Sequence, residues 1–421
     1  VKLYALDSRT RLGVRLDDPT FTGRYAADEG ASLAVLSWKD AVGRVQPTAS
    51  ASLQRLSRDE DFGAFRMTLG QTVAHASLGM AWLAHERATV RAGAEVERLA
   101  STLDGTVPAG GSAAPDARLR VLGGDRTGVR DGAYLEADLR AARTLRVVAG
   151  ARTDRGTLAT RRTVDPRLSL AWQPRAGVTL TGAWGIHHQV PDPLLLDRGL
   201  GVPSLAPMRA TQTILGVQLG EERRMLRVEA WDKAYADLAL LATEPGRARV
   251  VRGGGTGHAR GFDLIAKSRL PWRVEGRVTY GFVDATRTDA VTGVLARAPM
   301  DVTHALTAVV ERRFGVGWQA GLAWRQATGR PFTPVVSAVP DAGRATFTPV
   351  WGAPFGERFP DFRRLDASLS HIRLLGPRLQ GVFYLSLTNL LDRDNVQAWR
   401  YSADFAERSP VRSMFNRAVY A

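Results

Sequence analysis

The feature that most constrains this chain is a period of two held over segments too long for ordinary strands. Along Pro271–Val283, Trp272, Val274, Gly276, Val278, Tyr280 and Phe282 share one face, and Arg273, Glu275, Arg277 and Thr279 share the other. Between Val316 and Arg325, Val316, Trp318, Ala320, Leu322 and Trp324 oppose Gly317, Gln319, Gly321, Ala323 and Arg325. In Arg378–Asn389, Leu379, Phe383, Leu385 and Leu387 stand against Arg378, Gln380, Tyr384, Ser386 and Thr388, with Val382 out of step. The pattern recurs at Gly132–Arg140, Asp165–Gln173, Val178–His188 and Arg209–Leu219. Such alternation marks strands with two unlike faces. A soluble antiparallel sheet can also produce it. Length separates the two cases: globular strands average about five or six residues, and a tilted strand crossing a bilayer needs about nine to eleven. Trp172, Trp184, Trp272, Tyr280, Trp318 and Trp324 lie near the ends of the greasy face, as in an interfacial girdle.

The connections strengthen the membrane reading. Going backward along the chain, short links near Leu375–Pro377, Phe314–Val316, Arg269–Pro271, Gly220–Arg223, Pro174–Gly177 and Ala141–Arg143 take turns with long ones. The long ones span Thr328–Asp361, Asp284–Asp301, Asp237–Thr256, Gln189–Met208, Thr153–Asp165 and Ser101–Arg130. An up-and-down membrane barrel has short turns at one rim and large loops at the other. The expected fold is therefore all-β, an antiparallel up-and-down transmembrane β-barrel of about 18 strands, with residues 1–421 as one architectural unit. At the N-terminal end, Leu33–Trp38 and Arg44–Arg55 read as a pair, and Asp7–Glu29 reads as a loop or a poorly patterned hairpin. Ala64–Ala84 switches faces near Gly70, which suits one bulged strand or two short ones.

Composition agrees. Of 421 residues, 44% are hydrophobic and 24% charged, which excludes a disordered chain. No apolar run approaches the ~18 residues of a membrane helix. The absence of cysteine excludes disulfide scaffolds, thiol chemistry and cysteine-ligated zinc. The net charge of +15 is carried by arginine, since lysine occurs only at 2, 39, 233 and 267. The arginines are scattered without a basic block, so no nucleic-acid groove is expected, and an anionic surface or anionic ligand path accounts for the charge.

The C-terminal portion resembles the barrel of TonB-dependent outer-membrane receptors. The likeness lies in Gly257-His-Ala-Arg-Gly-Phe-Asp263 and Asp301-Val-Thr-His304, each opening a strand, and in Thr328-Gly-Arg-Pro-Phe-Thr-Pro334 in a large loop. It continues in Phe359-Pro-Asp-Phe-Arg-Arg-Leu-Asp366 and in Tyr384-Leu-Ser-Leu-Thr-Asn-Leu-Leu-Asp392, followed by Asn395-Val. The likeness is specific from about Asp165 onward and architectural before it. It implies a multi-pass barrel in the cell outer membrane, surrounded by lipid and lipopolysaccharide. The implied role is to bind a bulky nutrient, such as a siderophore, cobalamin, peptide or glycan, for import energised through the TonB complex. The family pattern has 22 strands, a plug domain and a TonB-engaging segment. No plug is recognisable here, nor an aromatic-ended last strand, and the expectation is a barrel incomplete at its N-terminus. A passive porin-like channel and a non-transporting surface-binding barrel are the alternatives, and a monomer is expected.

Enzyme and cofactor motifs are lacking. The run Gly253-Gly-Gly-Thr-Gly257-His-Ala-Arg-Gly261 has the wrong spacing for a dinucleotide loop and precedes a strand instead of a helix. No G-x-S-x-G elbow is present. Histidines fall at 75, 85, 187, 188, 258, 304 and 371. His187 and His188 are adjacent on a strand and point apart, and His85-Glu86 lacks the second histidine of a zincin helix, so no metal site, cofactor or catalytic group is expected.

Candidate ligand contacts are Arg161, Arg162, His188, Gln189, Arg330, Phe332, Trp399, Arg400 and Tyr401, which fall in or beside outside loops. Arginine mixed with aromatics suits an anionic, partly apolar ligand. Glu136, Asp138, Arg140, Arg273, Glu275 and Arg277 are expected to face the lumen and pair across strands.

Overall fold

The computed structural model describes the chain except residues 18–21, 109–118, 159–160, 197–203, 222, 244–248, 342–345, 378, 414–416 and 421. The wall opens with β1 (Lys2–Asp17), β2 (Thr22–Lys39), β3 (Val45–Phe62), β4 (Phe65–His85), β5 (Ala88–Pro108) and β6 (Leu119–Ala142). It continues through β7 (Leu145–Gly156), β8 (Thr163–Arg175), β9 (Val178–Gln189), β10 (Met208–Glu221), β11 (Arg224–Thr243), β12 (Arg249–Leu270) and β13 (Val274–Thr288). After the short β14 (Leu295–Arg297) come β15 (His304–Phe314) and β16 (Trp318–Ala327). The next outer loop contains β17 (Pro331–Phe332), β18 (Val335–Asp341), β19 (Thr346–Trp351) and β20 (Glu357–Arg358). The wall resumes with β21 (Phe362–Gly376) and β22 (Leu379–Thr388), the loop hairpin β23 (Val396–Tyr401) and β24 (Arg408–Arg412) follows, and β25 (Ala418–Tyr420) returns to β22.

Each wall strand pairs antiparallel with its sequence neighbour, giving one 19-stranded sheet of barrel type. Seventeen of these strands run through the wall and the short β14 and β25 make up the rest, against about eighteen expected from sequence. Most of the short turns lie at one rim, whereas the two-residue link Gly63–Ala64 between β3 and β4 closes the opposite, loop-side rim. Two of them show the local chemistry: Gly177 adopts φ 72°, and Trp272 and Arg273 adopt φ 58° and 59°. Such left-handed residues match a tight hairpin to the twist of its strands. Trp272 and Arg273 therefore leave the strand face expected of them, and β13 begins at Val274.

Below the outer loops the wall is greasy outside and polar inside. Leu78, Val96, Leu135, Leu168, Leu215, Leu322 and Leu385 are exposed on the outer face. Trp38, Trp82, Trp172 and Trp318 sit close to the short-turn rim on the same face. Inside, Arg91 donates to Glu136 at 2.8 Å, and Asp138 bridges Arg91 at 3.4 Å and Arg146 at 2.6 Å. The expected cross-strand pairing holds for Glu136 and Asp138. It does not extend to Arg140, Glu275 or Arg277, which have no ion pair among the described residues.

Above the membrane the polarity inverts. Met67 and Leu69 lie on the inner face of β4 and pack against Leu103, Leu122, Leu196, Leu205 and Val251, the apolar core of the molecule. Water replaces hydrocarbon outside at this height, so apolar side chains gain by turning inward. This explains the face switch near Gly70: β4 is one 21-residue strand, and its ladders with β3 and β5 pass Gly70 without a break. The same inward burial extends strands into the expected loops Ser101–Arg130 and Asp237–Thr256. There β5 reaches Pro108, β6 starts at Leu119, β11 reaches Thr243 and β12 starts at Arg249. The 24 residues of β6 span about 80 Å, far beyond an apolar band of about 25 Å. The expected loop or poor hairpin at Asp7–Glu29 is likewise a full ladder, from Lys2↔Ser37 to Asp17↔Thr22. The strand pair at its C-terminal side, β2 with β3, agrees with the sequence reading.

Among the described residues β1 pairs only with β2, and β22 has its second partner only in the three residues of β25. Unpaired N–H and C=O groups facing lipid are costly. Residues 1–421 expressed alone are therefore expected to insert poorly and to remain protease-sensitive. A heat-modifiable, protease-resistant monomer on gel electrophoresis would contradict this.

Candidate functional site

Two constellations gather six of the nine loop residues singled out above. The first is a braced rim built from the loops after β13, β16 and β22. Asp301 is fully buried at its centre. It accepts from Arg297 Nη1 at 3.1 Å, Arg358 Nη2 at 3.0 Å and Thr303 Oγ1 at 3.3 Å. Arg358 also donates through Nη1 to the carbonyls of Asp301 at 2.7 Å and Gly329 at 2.9 Å, and through Nη2 to Thr303 Oγ1 at 2.7 Å. One guanidinium thus ties the loop after β13 to the loop after β16. A buried carboxylate persists only where charge and hydrogen bonds are both supplied, as they are here.

The aromatic part lies beside it. Phe332 stacks on Phe359 with centroids 4.5 Å apart, and Phe359 meets Trp399 at 6.3 Å. Arg408 lies 4.8 Å above the Trp399 ring and pairs with Glu357 at 3.1 Å. Arg330 approaches Met300 Sδ at 3.9 Å and donates to the Gln397 carbonyl at 3.5 Å, so it touches the other two loops. The Tyr401 hydroxyl accepts the Val335 N–H at 3.5 Å. The Trp399 indole Nε1 is buried with no acceptor among the described residues. A buried donor without a partner costs about 1–3 kcal/mol.

The strand exits below are fixed by the motif that carries the family likeness. Asn389 donates its N–H to Asp366 Oδ1 at 3.0 Å and its side chain binds both backbone groups of Arg393. Asn395 does the same for Arg363, accepting at 2.9 Å and donating at 3.1 Å. At the hairpin tip the Ser402 hydroxyl, at 2.6 Å, and the Ala406 N–H hold the Asp404 carboxyl below its ordinary range.

The second constellation is a cavity of about 220 Å³ at the inner wall of β5 to β9. Arg130, Arg152, Arg155, Arg161 and Arg167 line it together with Glu95, Asp154, Asp165 and His188. Arg152 is consumed by Glu95 at 2.5 Å and Asp154 at 2.6 Å. His188 Nδ1 lies 2.5 Å from Asp165, whereas His187 Nε2 meets Gln212 at 2.9 Å, so the adjacent histidines find separate partners. Arg155, Arg161 and Arg167 have no partner among the described residues. The surplus of five guanidinium groups over three carboxylates leaves the cavity cationic. Among the described residues no three His, Asp or Glu side chains are gathered to hold a metal ion.

Of the nine loop residues singled out from sequence, Arg330, Phe332, Trp399 and Tyr401 meet in the rim, and Arg161 and His188 meet in the cavity. Arg162 and Arg400 are exposed with no side-chain partner among the described residues, and Gln189 ends β9 opposite Met208, outside the cavity lining. Sequence reasoning missed Asp301, Arg358 and Phe359 as rim residues, although Asp301 and Phe359 open two of the stretches that carry the resemblance. It also missed Arg130, Arg152 and Arg167, which the alternation places on inward faces.

The profile described as TonB dependent receptor-like, beta-barrel, matches residues 4–390. No curated protein matches the sequence. Among solved structures, the copper transporter OprC is 14% identical, with a TM-score of 0.71 over 99% of this chain and 74% of its own. The ferric-catecholate import receptor Fiu from E. coli K12 is 13% identical, with a TM-score of 0.65 over 94% of this chain and 63% of its own. The FrpB iron transporter from Neisseria meningitidis is 13% identical, with a TM-score of 0.68 over 99% and 67%. The chain thus spans less than two thirds of the E. coli receptor. At these identities the neighbours establish the fold, and the profile match over nearly the whole chain establishes the family: this chain belongs to the β-barrel family of TonB-dependent receptors, receptors and transporters of the outer membrane.

Proposed function

We propose that this barrel is the wall of a monomeric receptor that captures a bulky, anionic, partly apolar nutrient at its outer rim for TonB-energised import. The observation that carries this reading is the convergence of three outer loops on one braced surface that offers aromatic faces and the unsatisfied Trp399 N–H. Arginine and aromatic groups on a rigid frame suit delocalised anionic ligands, because the frame removes the ordering cost of binding. The cationic cavity on the inner wall gives such an anion a second station on the way in. Metal chelates of the siderophore class combine this charge with apolar surface, and they are the first ligands to test. Binding would be of the loop-on-rigid-scaffold kind.

The test is uptake by cells carrying the intact receptor, with and without a protonophore. Labelled ferric siderophores are expected to accumulate only in energised cells, and accumulation is expected to disappear on deletion of the gene. Trp399→Phe keeps the ring and removes the donor, so affinity is expected to fall about tenfold with expression unchanged. Uptake insensitive to the protonophore, or a steady large conductance in planar bilayers, would replace this reading with a passive channel. Surface binding without accumulation would make it an adhesive barrel.

A further inference from the structure

The outer, lipid-facing wall is not uniformly convex. On β2 to β5 the cross-strand row Leu36–Ala51–Ala76–Val96 places two alanines side by side between two larger side chains. The next row toward the short-turn rim, Trp38–Ala49–Leu78–Ala94, continues the depression. The result is an apolar groove of about 520 Å³, lined chiefly by Leu36, Trp38, Ala51, Ala76, Leu78 and Val96.

Two cations stand at the loop-side end of this groove. Arg98 follows Val96 by two residues on β5, and Arg55 follows Ala51 by four on β3. Neither ladder shifts register between the groove rows and these arginines, so both keep the outward face of the groove residues. Both are exposed, and neither has a hydrogen bond or ion pair among the described residues. The outward arginines of β1 differ: Arg9 and Arg11 are both taken up by Asp28, at 2.8 and 2.9 Å. Arg55 and Arg98 lie two strands and two residues apart, about 12 Å between Cα atoms. Their long side chains can therefore reach the same headgroup.

We propose that this groove is a binding site for one molecule of the phosphorylated, acylated lipid of the outer leaflet, lipid A. Its phosphates would lie on Arg55 and Arg98, and one acyl chain would lie in the trough below. The direction is fixed by the strands, since Arg55 and Arg98 lie toward the outer loops and Trp38 toward the short turns. Guanidinium groups bind phosphate through paired N–H donors, and at the hydrocarbon edge there is little water to compete. The groove supplies an apolar surface that a straight chain fills and that a flat wall would lack. This inference rests on membership of the barrel family and its membrane setting, and it is independent of the nutrient proposed above.

The test uses the intact receptor extracted from outer membranes in mild detergent, with retained lipid read by native mass spectrometry. One lipid A per barrel is expected on the unaltered protein. Arg55→Ala combined with Arg98→Ala is expected to lower retention roughly thirtyfold. Ala51→Leu with Ala76→Leu, which fills the trough and keeps the cations, is expected to lower it as well. Arg209→Ala removes an outward arginine far along the wall and is expected to leave retention unchanged. Heat-modifiable migration confirms that each variant is folded. Equal retention in the double arginine variant, equal retention of dephosphorylated lipid A or of zwitterionic phosphatidylethanolamine, or an equal loss in Arg209→Ala would each overturn the site.

Discussion

Asp301→Ala is expected to unlock the outer rim while leaving the barrel wall folded. The Asp301 side chain is fully buried and accepts from two arginines and a threonine hydroxyl. Its removal leaves the Arg358 guanidinium partly buried with backbone carbonyls and one hydroxyl as its remaining acceptors. Breaking a buried pair from one side costs about 3–5 kcal/mol, because the surviving charge loses its compensation. That cost falls on the docking of two loops and not on the wall ladders, which do not include Asp301. Hydrogen exchange of 289–303 and 328–341 is therefore expected to accelerate by about a hundredfold or more, with β15 and β16 protected as before. Asp301→Asn, which keeps one acceptor and loses the charge, is expected to fall between. Because Arg358 is the chain neighbour of Phe359, the Phe332–Phe359–Trp399 stack is expected to loosen as well, and nutrient affinity to drop with it. Unchanged exchange in both loops would show that the buried node does not hold the rim together.

The wall was legible in the sequence because hydrocarbon imposes one rule on every strand that crosses it. Leu379, Phe383, Leu385 and Leu387 had to alternate with polar residues, and most of the short turns fall at one rim, with Gly63–Ala64 at the other. Legibility ended where the solvent changed. Leu69 and Leu103 obey the same alternation as Leu78 and Val96 but with the faces exchanged, because water surrounds the outer part of the strand. A reader following one apolar face from Ala84 toward Phe65 meets a phase break at Gly70 and places a bulge or a boundary there. The ladder itself has none. The rim was half legible. Arginine and aromatic residues in long loops pointed to Arg330, Phe332, Trp399 and Tyr401. Nothing local announced that Arg358 would reach back 57 residues to Asp301. Such a contact depends on how two loops close over the barrel mouth, a tertiary fact with no period in the sequence. Arg161 and His188 meet for the same reason: strand order brings the ends of β8 and β9 together at one cavity.

Leu78→Arg and His75→Arg, three residues apart on β4, are expected to behave oppositely. Leu78 lies on the outward face between Ala49 and Ala94 and is one of the most exposed leucines of the wall. His75 lies on the inward face, paired with Glu97 in the ladder and with its Nε2 3.8 Å from Glu95. A guanidinium at position 78 must enter the acyl region, which costs about 2–4 kcal/mol at the midplane of a barrel. At position 75 it meets water and two carboxylates, so the change is expected to be neutral within about 0.5 kcal/mol. Urea unfolding in lipid vesicles, followed by tryptophan fluorescence, measures both variants on one scale. The contrast separates the membrane barrel from a water-soluble sheet of the same pattern. In a soluble sheet with a second layer packed on its greasy face, Leu78→Arg would also be costly, but the loss would not depend on the lipid. Repeating the measurement in vesicles of thinner acyl chains supplies the distinction, since a thinner hydrocarbon layer brings position 78 nearer to headgroups and water. The Leu78→Arg penalty is expected to shrink there while His75→Arg stays flat. A penalty independent of acyl length would mean that Leu78 faces protein, and the assignment of the two faces of this wall would be reversed.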